Sequence, residues 1–343
     1  MKLKLVRDLA LAIDLGTANT LISFEGRILL NEPSIIALHA VSKQLVAVGN
    51  EAMLMHEKTN ETIKTIKPLR DGVIADFSAA EMMLKSYVAQ VRKNIKYPFI
   101  SSYTMLFSVP TGITDVEKRA VRDSAFNAGA SDVLMIYEPF ASAVGAGLDV
   151  RSPEGIMVVD IGGGTTQVAL ISLSGIVIEQ SIRTAGNTFN SDILNYFKKQ
   201  YKLLIGERTA ETVKIKIGAA LCVMEGGEKE ELEVIGRDLL KGIPKSVKIF
   251  YSDVATAIDK SLSKIEESIL YVLDNTPPEL ASDLHANGIH ISGGGALLKE
   301  LKKRLGERLS LKINLVEDPF NSVIKGASII LQEKKKYASL LFQ

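Results

Sequence analysis

One short pattern occurs twice in this chain and constrains its fold more than any other feature. In the first copy, an apolar strand-like run ends at Asp14 and is followed by a glycine turn and a second apolar run, residues 20–24. The second copy passes from residues 156–159 through Asp160 and three glycines to residues 168–171. The aspartates are 146 residues apart (160 − 14 = 146), far more than the period of a solenoid repeat. We therefore predict two related half-molecules, each with its own sheet.

The rest of the chain alternates short apolar runs with longer amphipathic stretches, which predicts an α/β fold. Further strands are expected at residues 104–109, 133–136 and 289–292, and helices at residues 113–130, 141–148, 255–273 and 296–305. The helix at 255–273 has the clearest pattern, because its apolar residues recur at spacings of three and four. The Glu- and Gly-rich stretch 225–233 is interpreted as a solvated hairpin or loop.

Composition narrows the class of protein. A length of 343 residues suggests about two domains, and 41 basic against 40 acidic residues argue against a nucleic-acid-binding protein. One cysteine and four scattered histidines exclude an internal disulfide and a His/Cys metal site, so Cys222 is interpreted as a small buried apolar residue. No apolar run reaches bilayer-spanning length, and the first residues do not resemble a signal peptide, so we expect a cytoplasmic protein.

The glycine turns suit a phosphate chain. Gly16 allows a tight turn in which successive amides face an anion, and Asp14 at the strand end could hold Mg²⁺ through water. Three consecutive glycines after Asp160 weaken a sheet edge, so close approach of phosphates explains them better than stability does. A third cluster, residues 293–295, offers a surface for a flat group such as adenine. Nucleotide binding is therefore the favoured function.

Glu138 follows the expected strand at 133–136 and precedes Pro139. One interpretation makes it a first-turn carboxylate that is stabilised by the helix dipole. The other makes it the residue that orients a water molecule for in-line attack on a γ-phosphate. The residues alone do not separate these two interpretations.

Several motifs, in consistent order, resemble those of the MreB family of bacterial actins, and the similarity runs from about residue 9 to residue 330. They are residues 13–20 (IDLGTANT), 31–34 (NEPS), 69–76 (LRDGVIAD), 112–117 (GITDVE), 206–211 (GERTAE) and 276–280 (TPPEL). The resemblance implies an actin-like fold, in which two ribonuclease H-like domains enclose a nucleotide cleft. Domain I would span residues 1–145 with an insertion at about 33–75, and domain II residues 146–320 with an insertion at about 184–250. Residues 321–343 would return to domain I and add a basic-apolar tail.

The resemblance also implies roles for individual residues around ATP and Mg²⁺. Asp14 and Asp160 would approach the metal, mostly through water, while Glu138 would orient the attacking water with the help of Thr165. The nucleotide would contact Gly16, Thr17, Ala18, Asn19, Gly162, Gly163, Gly164, Glu211, Lys214, Gly293, Gly294, Gly295 and Ala296. Three positions depart from the family pattern: Tyr137 and Gln167 each replace a usual glutamate, and residues 186–190 lack the usual acidic side chains. These departures suggest a diverged paralogue.

Two segments are candidates for contact with an anionic membrane. Tyr97, Phe99 and Ile100 lie where the family has its membrane-facing loop, although such a loop could equally pack on its own domain. In the tail, Lys334, Lys335 and Lys336 precede an apolar end, a combination that suits a bilayer, whereas the alternative is a solvated charge run with a frayed or docked end.

The function that we expect is therefore that of an MreB-like ATPase on the inner face of the cell membrane. It would polymerise with itself, in paired protofilaments, and would act in cell shape with related paralogues or shape-determining membrane proteins. One alternative is a nucleotide-binding filament protein with little or no hydrolysis. A small-molecule kinase of the same superfamily fits less well, because no second carboxylate has the context of a catalytic base.

Overall fold

The computed structural model describes residues 7–95, 100–223 and 231–343, which form two compact units. Unit 1 contains the described residues up to Pro153 together with residues 171–176 and 320–343, and unit 2 contains residues 154–170 and the described part of 177–319. The sequence-based boundary lies earlier, after residue 145. The units divide after Pro153 because the preceding residues bond to a hairpin turn: the Leu173 amide donates to the Ser152 carbonyl (2.9 Å) and the Ser174 amide to the Val150 carbonyl (2.8 Å).

The described residues contain eighteen strands and ten α-helices. The strands are β1 (Arg7–Leu15), β2 (Asn19–Phe24), β3 (Arg27–Pro33), β4 (Ile36–His39), β5 (Leu45–Val48), β6 (Ile63–Ile66), β7 (Leu69–Arg70), β8 (Val73–Ile74), β9 (Ile100–Val109), β10 (Ala130–Tyr137), β11 (Ile156–Ile161), β12 (Thr166–Ser172), β13 (Gly175–Ile182), β14 (Leu203–Leu204), β15 (Glu231–Asp238), β16 (Pro244–Phe250), β17 (Ile289–Ser292) and β18 (Ile313–Leu315). The helices are α1 (Gly49–Met55), α2 (Phe77–Asn94), α3 (Asp115–Asn127), α4 (Glu138–Gly145), α5 (Gly186–Tyr196), α6 (Glu207–Ile217), α7 (Tyr251–Asp274), α8 (Pro278–Asn287), α9 (Leu301–Leu309) and α10 (Ser322–Gln332).

Each unit is built on a five-stranded sheet, and the two sheets have the same strand order. The first runs β3-β2-β1-β9-β10, and the second runs β13-β12-β11-β17-β18. In the first sheet β1 is antiparallel to β2 and parallel to β9; in the second, β11 is parallel to β17. The prediction of two related half-molecules, each with its own sheet, is confirmed. Small three-stranded sheets, β5-β4-β6 and β14-β15-β16, lie in the stretches where insertions are expected.

The helix whose apolar residues recur regularly over many turns agrees with the sequence-based prediction. In α7, the predicted apolar stripe of Ile258, Leu262, Ile265, Ile269 and Val272 is buried in the core of unit 2. None of the helices in the described ranges combines the length and apolar character that a bilayer crossing requires.

Three details of the sequence-based prediction are corrected. The helix expected at 296–305 begins at Leu301, because residues 294–297 form a 3₁₀ turn and Glu300 adopts a left-handed conformation (φ 60°). The helix expected at 113–130 begins at Asp115, where Thr114 and Glu117 form a capping box. Cys222 is exposed rather than buried, although Ala219 and Ala220 just before it are buried. Most of the loop expected at 225–233 lies outside the described residues.

The tail after α10 is docked on unit 1. Tyr337 and Leu340 are buried, and Phe342 bonds through its backbone to Met135 at the edge of the sheet (2.8 and 3.1 Å). The Phe342 ring lies 4.7 Å from that of Tyr137. The apolar end is therefore docked, as one of the two interpretations expected, while membrane contact of the tail stays a prediction. The three lysines before it remain exposed.

In unit 1, helices α4 and α10 cross so closely that a glycine of each helix lies against the backbone of the other. A Cβ atom on Gly326 would collide with the carbonyl oxygen of Ala141, and one on Gly145 would collide with that of Ser322. Neither backbone atom can move without shifting its helix. The crossing therefore requires glycine at both positions.

We expect Gly326→Ala to destabilise the protein by about 3 kcal/mol, measured as the free energy of unfolding in urea. Alanine is favoured over glycine within a helix by about 1 kcal/mol, so a net loss of stability would isolate the cost of the collision. Gly112→Ala is the matched control, since a Cβ there meets nothing within 4 Å, and its effect should stay within about 0.5 kcal/mol. Equal stability of the two variants would contradict the expectation.

Candidate functional site

The first glycine turn joins β1 to β2 at the end of the strand that carries Asp14. A Cβ atom on Gly16 would lie 2.7 Å from the Asn19 carbonyl oxygen, closer than real Cβ atoms approach, so the turn itself requires glycine. Ser34 holds the turn from the side: its hydroxyl donates to the Gly16 carbonyl (2.6 Å) and its amide to the Ala18 carbonyl (2.8 Å). The loop is therefore fixed in shape by hydrogen bonds within unit 1.

The polar side chains of this turn have protein partners. The Thr17 hydroxyl accepts a hydrogen bond from the Gly72 amide (2.9 Å), and the Asn19 side-chain amide donates to the Asn31 side-chain oxygen (3.1 Å). Ser34 was not among the residues predicted for the site, although its motif was noted. A serine that follows a proline gives no sequence signal for bonding to a turn 18 residues earlier.

The second glycine turn joins β11 to β12 in unit 2. The Gly162 amide donates to the Thr165 carbonyl (2.9 Å), which closes the turn. The start of α5 packs against it: the Gly186 amide donates to the Gly162 carbonyl (3.1 Å) and the Asn187 amide to the Gly163 carbonyl (2.8 Å). Gly164, the third glycine of the turn, is buried.

A cation lies beside this second turn. The Lys214 ammonium donates to the Gly186 carbonyl (3.1 Å), and it is 3.4 Å from the position that a Cβ on Gly186 would take. Glu211, also half-buried, precedes it by one turn of α6. The structure thus brings together Lys214 and the second glycine turn through Gly186, a residue that the sequence does not predict for the site.

The third glycine cluster has a packing role as well. Gly293 has φ +81°, and a Cβ on either Gly293 or Gly295 would collide with Ile161. Close contact with β11 therefore accounts for two of the three glycines without any ligand. Gly294 is exposed and Ala296 is buried, so the 3₁₀ turn places a glycine surface outward, next to the residue that follows Asp160.

Both aspartates accept a hydrogen bond from a serine on the neighbouring parallel strand. The Ser108 hydroxyl donates to Asp14 Oδ1 (3.1 Å), and the Ser292 hydroxyl donates to Asp160 Oδ1 (2.8 Å). Burial raises the pKa of Asp160 to about 6, although the Ser292 hydrogen bond opposes this shift. Neither serine was predicted as part of the site, because the pairing depends on strand register.

Each of these carboxylates, taken by itself, is of the kind that binds a magnesium ion through water. Within the described ranges, no three His, Cys, Asp or Glu side chains cluster closely enough to hold a metal by themselves. Mg²⁺ usually binds through one or two carboxylates, several waters and substrate phosphates, and so it does not need such a cluster. Asp14 in unit 1 and Asp160 in unit 2 each offer one carboxylate near the end of a central strand.

Glu138 is the first residue of α4 in unit 1, half-buried, with Pro139 after it. The position is the one at which the helix dipole favours a negative charge, so both interpretations of this residue stay open in the structure. Thr165 is half-buried in unit 2 at the end of the second glycine turn, and its neighbour Thr166 donates to the Thr184 carbonyl (2.6 Å).

The predicted membrane residues are only partly described. Tyr97 and Phe99 lie outside the described residues, and so does the side chain of Ile100. In the tail, Lys334 is 3.8 Å from Asp132 and Lys336 is 2.6 Å from Glu333, both as exposed ion pairs, and Lys335 is exposed.

Comparison with known proteins gives consistent matches over almost the whole chain. The sequence model of the MreB/Mbl protein family matches residues 8–339. The cell shape-determining protein Mbl of Bacillus subtilis is 43% identical, covering 95% of this chain and 96% of its own. The cell shape-determining protein MreB of Escherichia coli is also 43% identical, covering 97% and 96%.

Solved structures agree with the sequence comparison. The ADP-bound crystal structure of MreB5 from Spiroplasma citri superposes with a TM-score of 0.90 at 36% identity, covering 97% of this chain and 98% of the other. This likeness confirms the predicted actin-like fold. Together with the family match over residues 8–339, it establishes that the chain belongs to the MreB/Mbl family of actin-like proteins.

Proposed function

We propose that this protein is a cytoskeletal ATPase that binds ATP with Mg²⁺, hydrolyses it and polymerises into membrane-associated filaments involved in cell shape. The observation that carries the proposal is the repeated device: in each unit a glycine turn follows a central strand that ends in a serine-bonded aspartate. The relatives support it, because MreB5 of Spiroplasma citri has been crystallised with ADP and with AMPPNP, and the curated relatives are cell shape-determining proteins.

The phosphates would be bound by the backbone amides of the two glycine turns, while Glu211 and Lys214 would reach the ribose side. In the second turn the Gly162 amide already donates to the Thr165 carbonyl. We therefore expect the amides after Gly162 to bind the phosphates. Lys214, held at the Gly186 carbonyl, supplies a positive charge beside this turn. In the first turn, Ser34 fixes residues 16–18 before any ligand arrives, which reduces the entropy that binding must overcome.

Magnesium would neutralise charge on the phosphates as the terminal phosphoryl group leaves. Asp14 and Asp160 would hold the waters of the ion, each from the end of a buried strand. Glu138 would orient and deprotonate the attacking water, and Thr165 would assist in holding it. The nucleoside would contact Glu211 and the glycine surface at residues 293–296.

We expect Glu138→Gln to lower the rate of phosphate release about 100-fold while leaving ATP affinity nearly unchanged, because only the base is lost. Release is measured with a coupled phosphate assay, and affinity by calorimetry with AMPPNP. Glu279→Gln is the matched control, since Glu279 also lies in the first turn of a helix beside a proline and is exposed. Both changes remove a favourable helix-dipole interaction of about 0.5 kcal/mol, so the control accounts for that loss.

Sedimentation of the same samples with ATP reports on polymer formation. Unchanged phosphate release in Glu138→Gln would refute the assigned role of Glu138. Wild-type protein that pellets with ATP but releases no phosphate would instead favour the second candidate, a filament protein with little hydrolysis. The loss of usual glutamates at Tyr137 and Gln167, close to Glu138 and Thr165 in sequence, is the observation that keeps this candidate open.

We expect Asp160→Asn to stabilise the protein without nucleotide or metal at pH 8. The pKa of Asp160 is about 6 in the folded state, against about 3.9 when unfolded. Above pH 6 the folded protein must therefore carry a buried charge, and this cost disappears as the pH falls from 6 to 4. Urea unfolding at pH 8 and pH 4 should show a stabilised variant at pH 8 only.

The control variant for this experiment is expected to change stability at pH 8 in the opposite direction. Asp149 is exposed, and its hydrogen bonds from Arg151 lower its pKa. Asp149→Asn should therefore lower stability at pH 8, and the difference should shrink in acid. An Asp160→Asn variant that behaved like Asp149→Asn would show that the Asp160 carboxylate is stabilising in the folded protein, contrary to the expectation.

The partner surface that we assign to the membrane is the exposed lysine run 334–336. Each lysine near an anionic bilayer contributes about 1 kcal/mol, so replacing all three with glutamine should weaken binding to phosphatidylglycerol-containing vesicles roughly 100-fold. Flotation with these vesicles and with neutral phosphatidylcholine vesicles measures the effect. Lys198, Lys199 and Lys202 are also exposed and provide a control with the same loss of charge. Equal weakening by both triple variants would reject this surface.

A further inference from the structure

Two serines occupy the same position in the two units. Ser108 pairs with Asp14 in the parallel register of β1 and β9, and Ser292 pairs with Asp160 in that of β11 and β17. Each serine lies at or next to the last residue of its strand. The flanking sequences differ, Phe-Ser-Val-Pro in one case and Ile-Ser-Gly-Gly in the other. A hydroxyl therefore recurs opposite the aspartate although the surrounding residues do not.

The contacts are alike in the two units. Both hydroxyls donate to Oδ1 of the carboxylate, at 3.1 Å from Ser108 and 2.8 Å from Ser292, and Ser108 also lies 3.5 Å from the Ile13 carbonyl oxygen. The serines are 3% and 0% exposed, and the Ser292–Asp160 pair is buried, whereas Asp14 is half-buried. The pairing is thus set by the backbone register, with both serine hydroxyls on the buried side.

Burial alone does not force a serine into such a pair. Ser124 in α3 and Ser268 in α7 are just as buried, and within the described part of the chain neither hydroxyl has a hydrogen-bond partner. The fold therefore tolerates buried serines without a carboxylate. What distinguishes Ser108 and Ser292 is their place beside the two aspartates that end the central strands.

We propose that Ser108 and Ser292 are positioning residues for the magnesium-nucleotide complex, each holding the neighbouring aspartate in the orientation that binds the waters of the ion. The inference rests on the proposed function and deepens it. A carboxylate can rotate about two side-chain bonds, and a hydrogen bond to one oxygen restricts both. Residues that orient metal ligands in this way commonly change metal affinity by 10- to 100-fold when they are removed.

The test measures how much Mg²⁺ the protein needs to bind AMPPNP. Binding to full-length protein is followed by calorimetry or thermal shift in a Mg²⁺ titration, and again with EDTA present. We expect Ser108→Ala and Ser292→Ala each to raise the Mg²⁺ concentration at half-maximal binding about 10-fold, with no change in EDTA. Ser124→Ala and Ser268→Ala are the matched controls, and they should leave the Mg²⁺ midpoint unchanged.

Two further variants separate positioning from a general effect on folding. Ser108→Thr and Ser292→Thr keep the hydroxyl and should restore most of the Mg²⁺ response. In an Asp14→Asn background, Ser108→Ala should have no further effect on the midpoint, because the carboxylate that it orients is gone. If an alanine variant does not fold, the same comparison is made with Ser→Cys, which keeps the size of the side chain but donates weakly, and a raised midpoint is again expected.

The outcomes distinguish this inference from the proposed function. Wild-type protein that binds no AMPPNP at any Mg²⁺ concentration would overturn the proposed function, and the inference with it. Wild-type protein that binds AMPPNP with Mg²⁺, together with serine variants whose midpoints match the wild type, would overturn the inference alone. A serine effect that persists fully in the Asp14→Asn background would also overturn it.

Discussion

The hydrogen bond between a serine hydroxyl and the aspartate near the end of each central strand is the interaction that both units share. Asp160 is buried and Asp14 is half-buried, and an ionised group in the buried position of Asp160 costs free energy of solvation. The same burial raises the pKa of Asp160. A carboxylate at the same place in both units supports the role that we propose for Asp14 and Asp160 beside a magnesium ion.

Much of the fold follows from patterns that can be seen in the sequence. The apolar stripe of α7 and the two strand-turn-strand units around Asp14 and Asp160 are confirmed, because each pattern is local and long enough to be distinctive. Short or terminal features were less predictable. Leu301 rather than Ala296 starts α9, since a left-handed Glu300 interrupts the chain, and the exposure of Cys222 depends on where the backbone leaves the core.

Site residues can be proposed from the sequence where the chemistry lies on consecutive residues, as in the glycine turns after Asp14 and Asp160. Ser34, Ser108, Gly186 and Ser292 were missed because each acts on a residue far away in sequence, through register or packing. Gly293 and Gly295 show a related difficulty in interpreting the sequence. A cluster that suggests a ligand surface also packs against Ile161, so glycine content alone does not separate the two causes.

The crossing of α4 and α10 has a consequence for motion. A contact between apolar side chains can adjust, because rotamers change as helices slide. At Gly145 and Gly326 the backbones themselves touch, and no side chain is present to accommodate a shift. The two helices must therefore move as one rigid piece. Any displacement that carries Glu138 at the start of α4 must therefore carry residues 322–332 with it.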